Sequence, residues 1–125
     1  MKQFDVTIEN KMGALAELCD MLARNAINIK AISTDIRNGF GIVHLVTEDH
    51  KTTKETLQKS KFKFDETEIL AVRLPDRPGE LAKAAKLLSR AKINIENLFL
   101  LGGDGEFKEI AFKVSDIDKA KEVLK

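Results

Sequence analysis

The chain has 125 residues, enough for one ordinary domain or two small ones, and its 43% hydrophobic and 33% charged residues are those of a soluble globular protein. Its 21 basic and 20 acidic residues leave a formal net charge of +1, which argues against nucleic-acid binding driven by bulk electrostatics. One cysteine allows no intrachain disulfide, no apolar run reaches membrane-spanning length, and the alternating, acid-bearing MKQFDVTIEN is not a signal peptide, so a cytoplasmic protein is expected.

Phe4, Val6 and Ile8 alternate with Asp5, Thr7 and Glu9, the period of a strand with one buried face. Glu9 to Gly13 is a turn, in which Asn10 can cap the helix that follows. Leu15, Leu18, Cys19 and Leu22 form that helix's apolar stripe. Ile27 and Ile29 flank Asn28 in a second strand that runs to about Asp35. Arg37-Asn38-Gly39 is a hairpin signal, because Asn-Gly tolerates positive φ, and Ile42 to Val46 is the third strand. Asp49 to Lys59 reads as a helix with a thin core face, since Leu57 is its one apolar residue. Phe62-Lys63-Phe64 is a short fourth strand, followed by an acidic linker, Asp65 to Glu68.

The second half repeats this path. Ile69 to Leu74 is a strand, Pro75 to Gly79 a turn, and Leu81, Ala84, Ala85 and Leu88 a helical stripe. Ile93-Asn94-Ile95 opens the next strand, and Gly102-Gly103-Asp104-Gly105 is a hairpin turn. Ile110, Phe112 and Val114 alternate as the third strand, and Ile117, Ala120 and Leu124 mark a last helix. No counterpart of Phe62 to Phe64 follows. Gly13 and Gly79 lie 66 positions apart, and at that offset Val6 to Ile32 and Val72 to Leu98 share nine identical residues over 27 positions. Two α+β modules are therefore expected, residues 1–66 and 67–125. Each has the ferredoxin-like order βαββαβ, the second without its last strand, and they lie side by side with helices stacked on one face of a joined sheet.

Few residues suggest catalysis. Cys19 sits on an apolar helix face and reads as a buried core thiol. His44 and His50 have no Cys or His at metal-ligand spacing, and no Ser-His-Asp set or carboxylate pair stands out, so no metal, no cofactor and no enzyme activity are expected. The glycines at 102, 103 and 105 precede a strand rather than a helix and so lack the helix N-terminus that holds phosphate. Asn38 to Leu45 partly matches an RNA-recognition pattern, but Ile42 and Leu45 stand where base-stacking rings belong, and the chain has neither Trp nor Tyr. The better candidates are the turns after each first strand. Their backbone N–H groups lie at a helix N-terminus, where partial positive charge favours a carboxylate, and glycine permits close approach. Asp76, itself anionic, suits an ammonium group. The plain alternative makes Asn10 and Asp76 helix caps and the glycines turn residues.

IENKMGALAELCDMLARNAINIKAI and LPDRPGELAKAAKLLSRAKINIENL resemble ACT domains, whose hallmark is a strand, a turn like Asp76-Arg77-Pro78-Gly79, a helix, and a strand opening like Ile93-Asn94-Ile95. The resemblance covers nearly the whole chain as two tandem modules. It implies a regulatory protein that binds a small molecule, mostly an amino acid, where two modules meet. The implied ligand-contacting residues are the first turn, Asn10, Lys11, Met12, Gly13 and Ala14, with Asn28 and Ile29. In the second module they are Asp76, Arg77, Pro78, Gly79 and Glu80, with Asn94 and Ile95. The first turn departs from the pattern in having Met12 where Pro78 stands, and Ile8 and Leu74 occupy a position where some serine-binding members carry histidine. The resemblance implies a stand-alone amino-acid-binding regulator or sensor. The alternative is a regulatory subunit docked on a biosynthetic enzyme such as acetolactate synthase. The expected partners are an amino acid and a second copy of the chain, with neither nucleic acid nor membrane. One fourth strand serves two modules, so either Phe62 to Phe64 crosses to the second module or a second chain covers the open edge of Ile69 to Leu74, and a homodimer is expected.

Overall fold

The computed structural model describes residues 1–124. The chain divides into two compact units, Lys2–Thr67 and Met1 together with the residues from Glu68 onward.

In the first unit the elements run β1 (Lys2–Glu9), α1 (Ala14–Arg24), β2 (Ile29–Arg37), β3 (Phe40–Thr47), α2 (His50–Gln58) and β4 (Lys63–Glu68). The sheet order is β2-β3-β1-β4, with β3 antiparallel to both β1 and β2. Register carries the sequence's alternation into the core: Phe4 faces Leu45, Val6 faces Val43 and Ile8 faces Gly41, so one face of the sheet is apolar. Ala14, Leu18 and Leu22 of α1 and Leu57 of α2 close over that face. The stripe on α1 keeps the expected Leu18 and Leu22 but is completed by Ala14, whereas Leu15 is 39% exposed. This turns Cys19 to the margin of the core, where it is half-buried rather than fully buried as expected.

α2 compensates for its single apolar residue with a buried hydroxyl pair. Thr53 donates to the carbonyl of Asp49 at 2.8 Å, and its Oγ1 lies 2.7 Å from that of Thr47. Asp49 caps this helix by accepting from Thr52 N. Asn38 and Gly39 take φ of 52° and 82°, which the Asn-Gly hairpin requires.

β4 corrects the expected linker. The strand does not stop at Phe64 but runs through Asp65 and Glu66 to Glu68. The free edge of β1 supplies the hydrogen-bonding partner for these acids, which sequence composition alone assigns to solvent. Phe64 packs beside Phe4 with ring centroids 6.1 Å apart.

The second unit contains β5 (Leu70–Pro75), α3 (Glu80–Arg90), β6 (Ile95–Gly103), β7 (Phe107–Val114) and α4 (Ile117–Val123). Its sheet has the antiparallel order β5-β7-β6, so β5 is an edge strand and, among the described residues, the module ends in a helix without a last strand. Ala84, Leu88, Ile110, Phe112 and Ala120 form its core, with Leu70 and Val72 packed against them. The strands make two separate sheets instead of the one joined sheet expected, since β4 pairs within the first module.

Both repeated helices end alike. Ile27 N donates to Leu22 O and Ala26 N to Ala23 O; Ile93 N donates to Leu88 O and Lys92 N to Ser89 O. This is the Schellman arrangement, and it places Ala26 and Lys92 in the left-handed region at φ 56° and 60°, where glycine is usual.

Candidate functional site

The turn after β1 is built by short-range hydrogen bonds. Lys11 N donates to Glu9 O, Ala14 N to Lys11 O and Glu17 N to Gly13 O. The turn after β5 repeats each one, with Arg77 N to Pro75 O, Glu80 N to Arg77 O and Lys83 N to Gly79 O. The helix caps are not Asn10 and Asp76. Gly13 and Gly79 occupy the N-cap positions at φ 87° and 89°, and no side chain bonds to either helix start. The positive φ is what demands glycine at both places, because a Cβ built on either meets nothing within 4 Å. α2 and α4, by contrast, are capped by Asp49 and Asp116. In the repeated helices the N–H groups of Ala14 and Glu80 are taken by Lys11 O and Arg77 O, while those of Leu15, Ala16, Leu81 and Ala82 receive no side-chain cap.

Beside the first turn lies a cavity of about 370 Å³. Thr7, Ile8 and Glu9 bring the end of β1 to it, Lys11 the turn, and Ala14 and Glu17 the first turns of α1. Phe40 closes one side from the start of β3, and Lys61, Phe62 and Lys63 close another from the segment entering β4. Two ion pairs stand at its rim, Lys11 Nζ to Glu9 Oε2 at 3.1 Å and Lys61 Nζ to Glu17 Oε1 at 2.6 Å. The hydrogen bond and charge of Lys61 hold the Glu17 carboxyl below the usual carboxylate range, and Glu17 in turn holds the Lys61 ammonium above its ordinary value. The Lys61 ammonium also sits 5.8 Å from the Phe62 ring centroid. Lys63 has no carboxylate partner among the described residues.

The matching cavity of the second module is smaller, about 250 Å³, and its charges are already paired. Asp76 bonds Lys108 at 3.2 Å, and Glu80 receives both Arg77 at 2.7 Å and Lys83 at 3.3 Å. The Arg77 hydrogen bond, helped by Lys83, keeps the Glu80 carboxyl below its ordinary range.

Of the residues that the resemblance implies, Lys11 and Ala14 line the first cavity, and Asp76, Arg77 and Glu80 the second. Met12 is 99% exposed, and Asn10 and Pro78 also face solvent. Asn28 and Ile29 follow the far end of α1. Eleven helical residues separate them from the first turn, about 16 Å at 1.5 Å per residue, so one module does not bring Asn10 and Asn28 together. Asn94 and Ile95 likewise line a shallow depression at the C-terminal end of α3. Glu17, Phe40, Lys61, Phe62 and Lys63 are lining residues that the sequence pattern does not mark as a site. They are distant in sequence from the turn and meet it only once β3 and β4 flank β1. The alternation of Lys61 to Phe64 was the available signal.

His44, the ring on the face of β3 away from the helices, is buried, with Nδ1 2.7 Å from Asp5 Oδ1 and Nε2 3.5 Å from Asp35 Oδ2. No group of three or more His, Cys, Asp or Glu that could hold a metal occurs among the described residues, and no helix there is long and apolar enough to cross a membrane.

The chain is similar to solved structures along almost its whole length. Protein BT0572 from Bacteroides thetaiotaomicron is 29% identical at a TM-score of 0.89, over 98% of this chain and 85% of that one. The regulatory subunit of aspartate kinase from Thermus thermophilus, in its ligand-free form, is 13% identical at a TM-score of 0.68, over 98% of this chain and 87% of that one. The corresponding subunit from Thermus flavus is 14% identical at a TM-score of 0.63, over 98% and 86%. The last two share the fold alone. No curated protein sequence matches the chain. The family model described as the ACT domain pair matches residues 1–125, and the chain belongs to that family.

Proposed function

We propose that this ACT domain pair is an amino-acid-sensing regulatory protein without catalytic activity, and that its ligand lies in the cavity beside the Asn10 to Ala14 turn. One observation carries the reading. The start of α1, where Leu15 and Ala16 offer N–H groups without a side-chain cap, adjoins a cavity that also holds Lys63, an ammonium without a carboxylate partner among the described residues, and two carboxylates, Glu9 and Glu17. An α-carboxylate fits the first two features and an α-ammonium the last. The test is a thermal-shift screen against the common amino acids, because a ligand that binds only the folded state raises the melting temperature. A chain whose melting temperature no amino acid moves is not such a sensor.

A second reading makes the chain the regulatory subunit of a biosynthetic enzyme. Its support is the fold shared with regulatory subunits of aspartate kinase over almost the whole chain. Copurification of a catalytic partner from the source cells is the test.

A homodimer belongs to either reading. The unpartnered edge of β5 supports it, as do exposed apolar residues at matching repeat positions, Leu15 with Leu81 and Ile32 with Leu98. Light scattering over a range of concentrations tests it, and a monomer at every concentration refutes it.

A further inference from the structure

We infer that the first-module cavity selects an amino acid with a large uncharged apolar side chain over serine, aspartate and lysine. This rests on the amino-acid-sensing reading above and specifies the ligand class of that same site. Four separate segments deliver apolar walls: Ile8 from β1, Ala14 from α1, Phe40 from β3 and Phe62 from the approach to β4. Among the lining residues Thr7 is the one neutral polar side chain. A hydroxyl-bearing ligand therefore loses water without gaining a dedicated set of partners.

Charge narrows the choice further. Glu9 is matched by Lys11 and Glu17 by Lys61, which leaves Lys63 as the one lining charge without a partner among the described residues. One positive charge suits one α-carboxylate. The second carboxylate of aspartate has no cation left to meet and is placed against Ile8, Phe40 and Phe62. The side-chain ammonium of lysine has only Glu9 and Glu17 to meet, which Lys11 and Lys61 already engage and which the α-ammonium also needs. The volume of about 370 Å³ falls within the range of small-molecule sites, about 300–1,000 Å³, and leaves room for a branched or aromatic side chain.

Isothermal titration calorimetry of the full chain with leucine, phenylalanine, serine, aspartate and lysine is the experiment. Leucine or phenylalanine is expected to bind at least about tenfold more tightly than each of the other three, the discrimination an apolar pocket supplies. A smaller or reversed preference overturns the selectivity and leaves the sensing reading standing. Binding of none of the five or of any other amino acid overturns both. Phe40→Ser then locates the effect. Phe40 is half exposed, so its loss spares the core, and circular dichroism checks that the variant folds. The apolar preference should shrink at least about fivefold, since one wall of the pocket is removed. An unchanged preference places the selecting site elsewhere and overturns the assignment.

Discussion

Ile8 and Gly41 face each other across the β1–β3 ladder so closely that a Cβ on Gly41 would stand 2.8 Å from Ile8 Cγ1. The missing methyl group sets where Ile8 lies, and Ile8 lines the first cavity. Gly41→Ala should drive the Ile8 side chain into that space. The expected cost is about 1–3 kcal/mol of stability, the usual penalty of overpacking, read by urea denaturation. Ligand affinity should fall as well, by more than about tenfold on titration, because the apolar wall moves into the volume the ligand needs.

The unpaired cation gives a second prediction. Lys63→Ala should weaken amino-acid binding about two- to fivefold, an exposed charge being worth up to about 1 kcal/mol. The loss should shrink in high salt, which calorimetry at two ionic strengths would show. Lys108→Ala in the second module, where that lysine is committed to Asp76, should leave the same affinity unchanged.

A third prediction concerns pH. Glu17 is held below its ordinary range chiefly by the Lys61 hydrogen bond, so its folded value lies below its unfolded one. Its contribution to stability is then present above the unfolded carboxylate value and is lost as pH falls through the folded value. For Lys61, raised on folding, the contribution is present below the unfolded value and is lost as pH rises through the folded one. In Lys61→Met the Glu17 carboxyl should titrate nearer its ordinary range, which carbon-detected NMR titration would follow. An unmoved carboxyl would mean that the ion pair does not form in solution.

The helix ends yield a stability test. Ala26 and Lys92 hold left-handed backbone without a glycine. Ala26→Gly and Lys92→Gly should each stabilise the protein by about 0.5–1 kcal/mol, the relief of left-handed strain less the added entropy of the unfolded chain. Denaturation midpoints would show the gain.

Thr53→Val should do the opposite. The Thr53 hydroxyl donates to Asp49 O and receives the proton of Thr47 Oγ1, both inside the core. Valine fills the same space but strands the Thr47 hydroxyl, while the Asp49 carbonyl keeps the backbone N–H of residue 53, at a cost of about 1–3 kcal/mol by denaturation.

These tests divide between what the sequence shows and what it hides. The repeat, the strand alternation and the Asn38-Gly39 hairpin are local patterns, and the structure follows them. The turns were legible too, but their capping was not. An asparagine or aspartate near a helix start usually caps it, whereas here left-handed glycines occupy the cap positions. β4 is longer than its sequence suggests because acids such as Asp65 and Glu66 seldom mark a strand, and a non-local partner, β1, recruits them. The wall of the cavity was invisible for the same reason. Phe40 and Phe62 lie far along the chain from Lys11, and only the sheet order brings them to it.

The strand order also divides the two halves in time. β1 is flanked by β3 and β4, so its amides are engaged on both sides, whereas β5, its repeat partner, is flanked by β7 alone. Amides of β5 that point away from β7 lack a ladder partner among the described residues and should exchange with deuterium early, while those of β1 persist until larger openings. Two stretches that share one sequence pattern would then report different clocks, and a ligand or second chain that covers β5 would be seen first as its slowing.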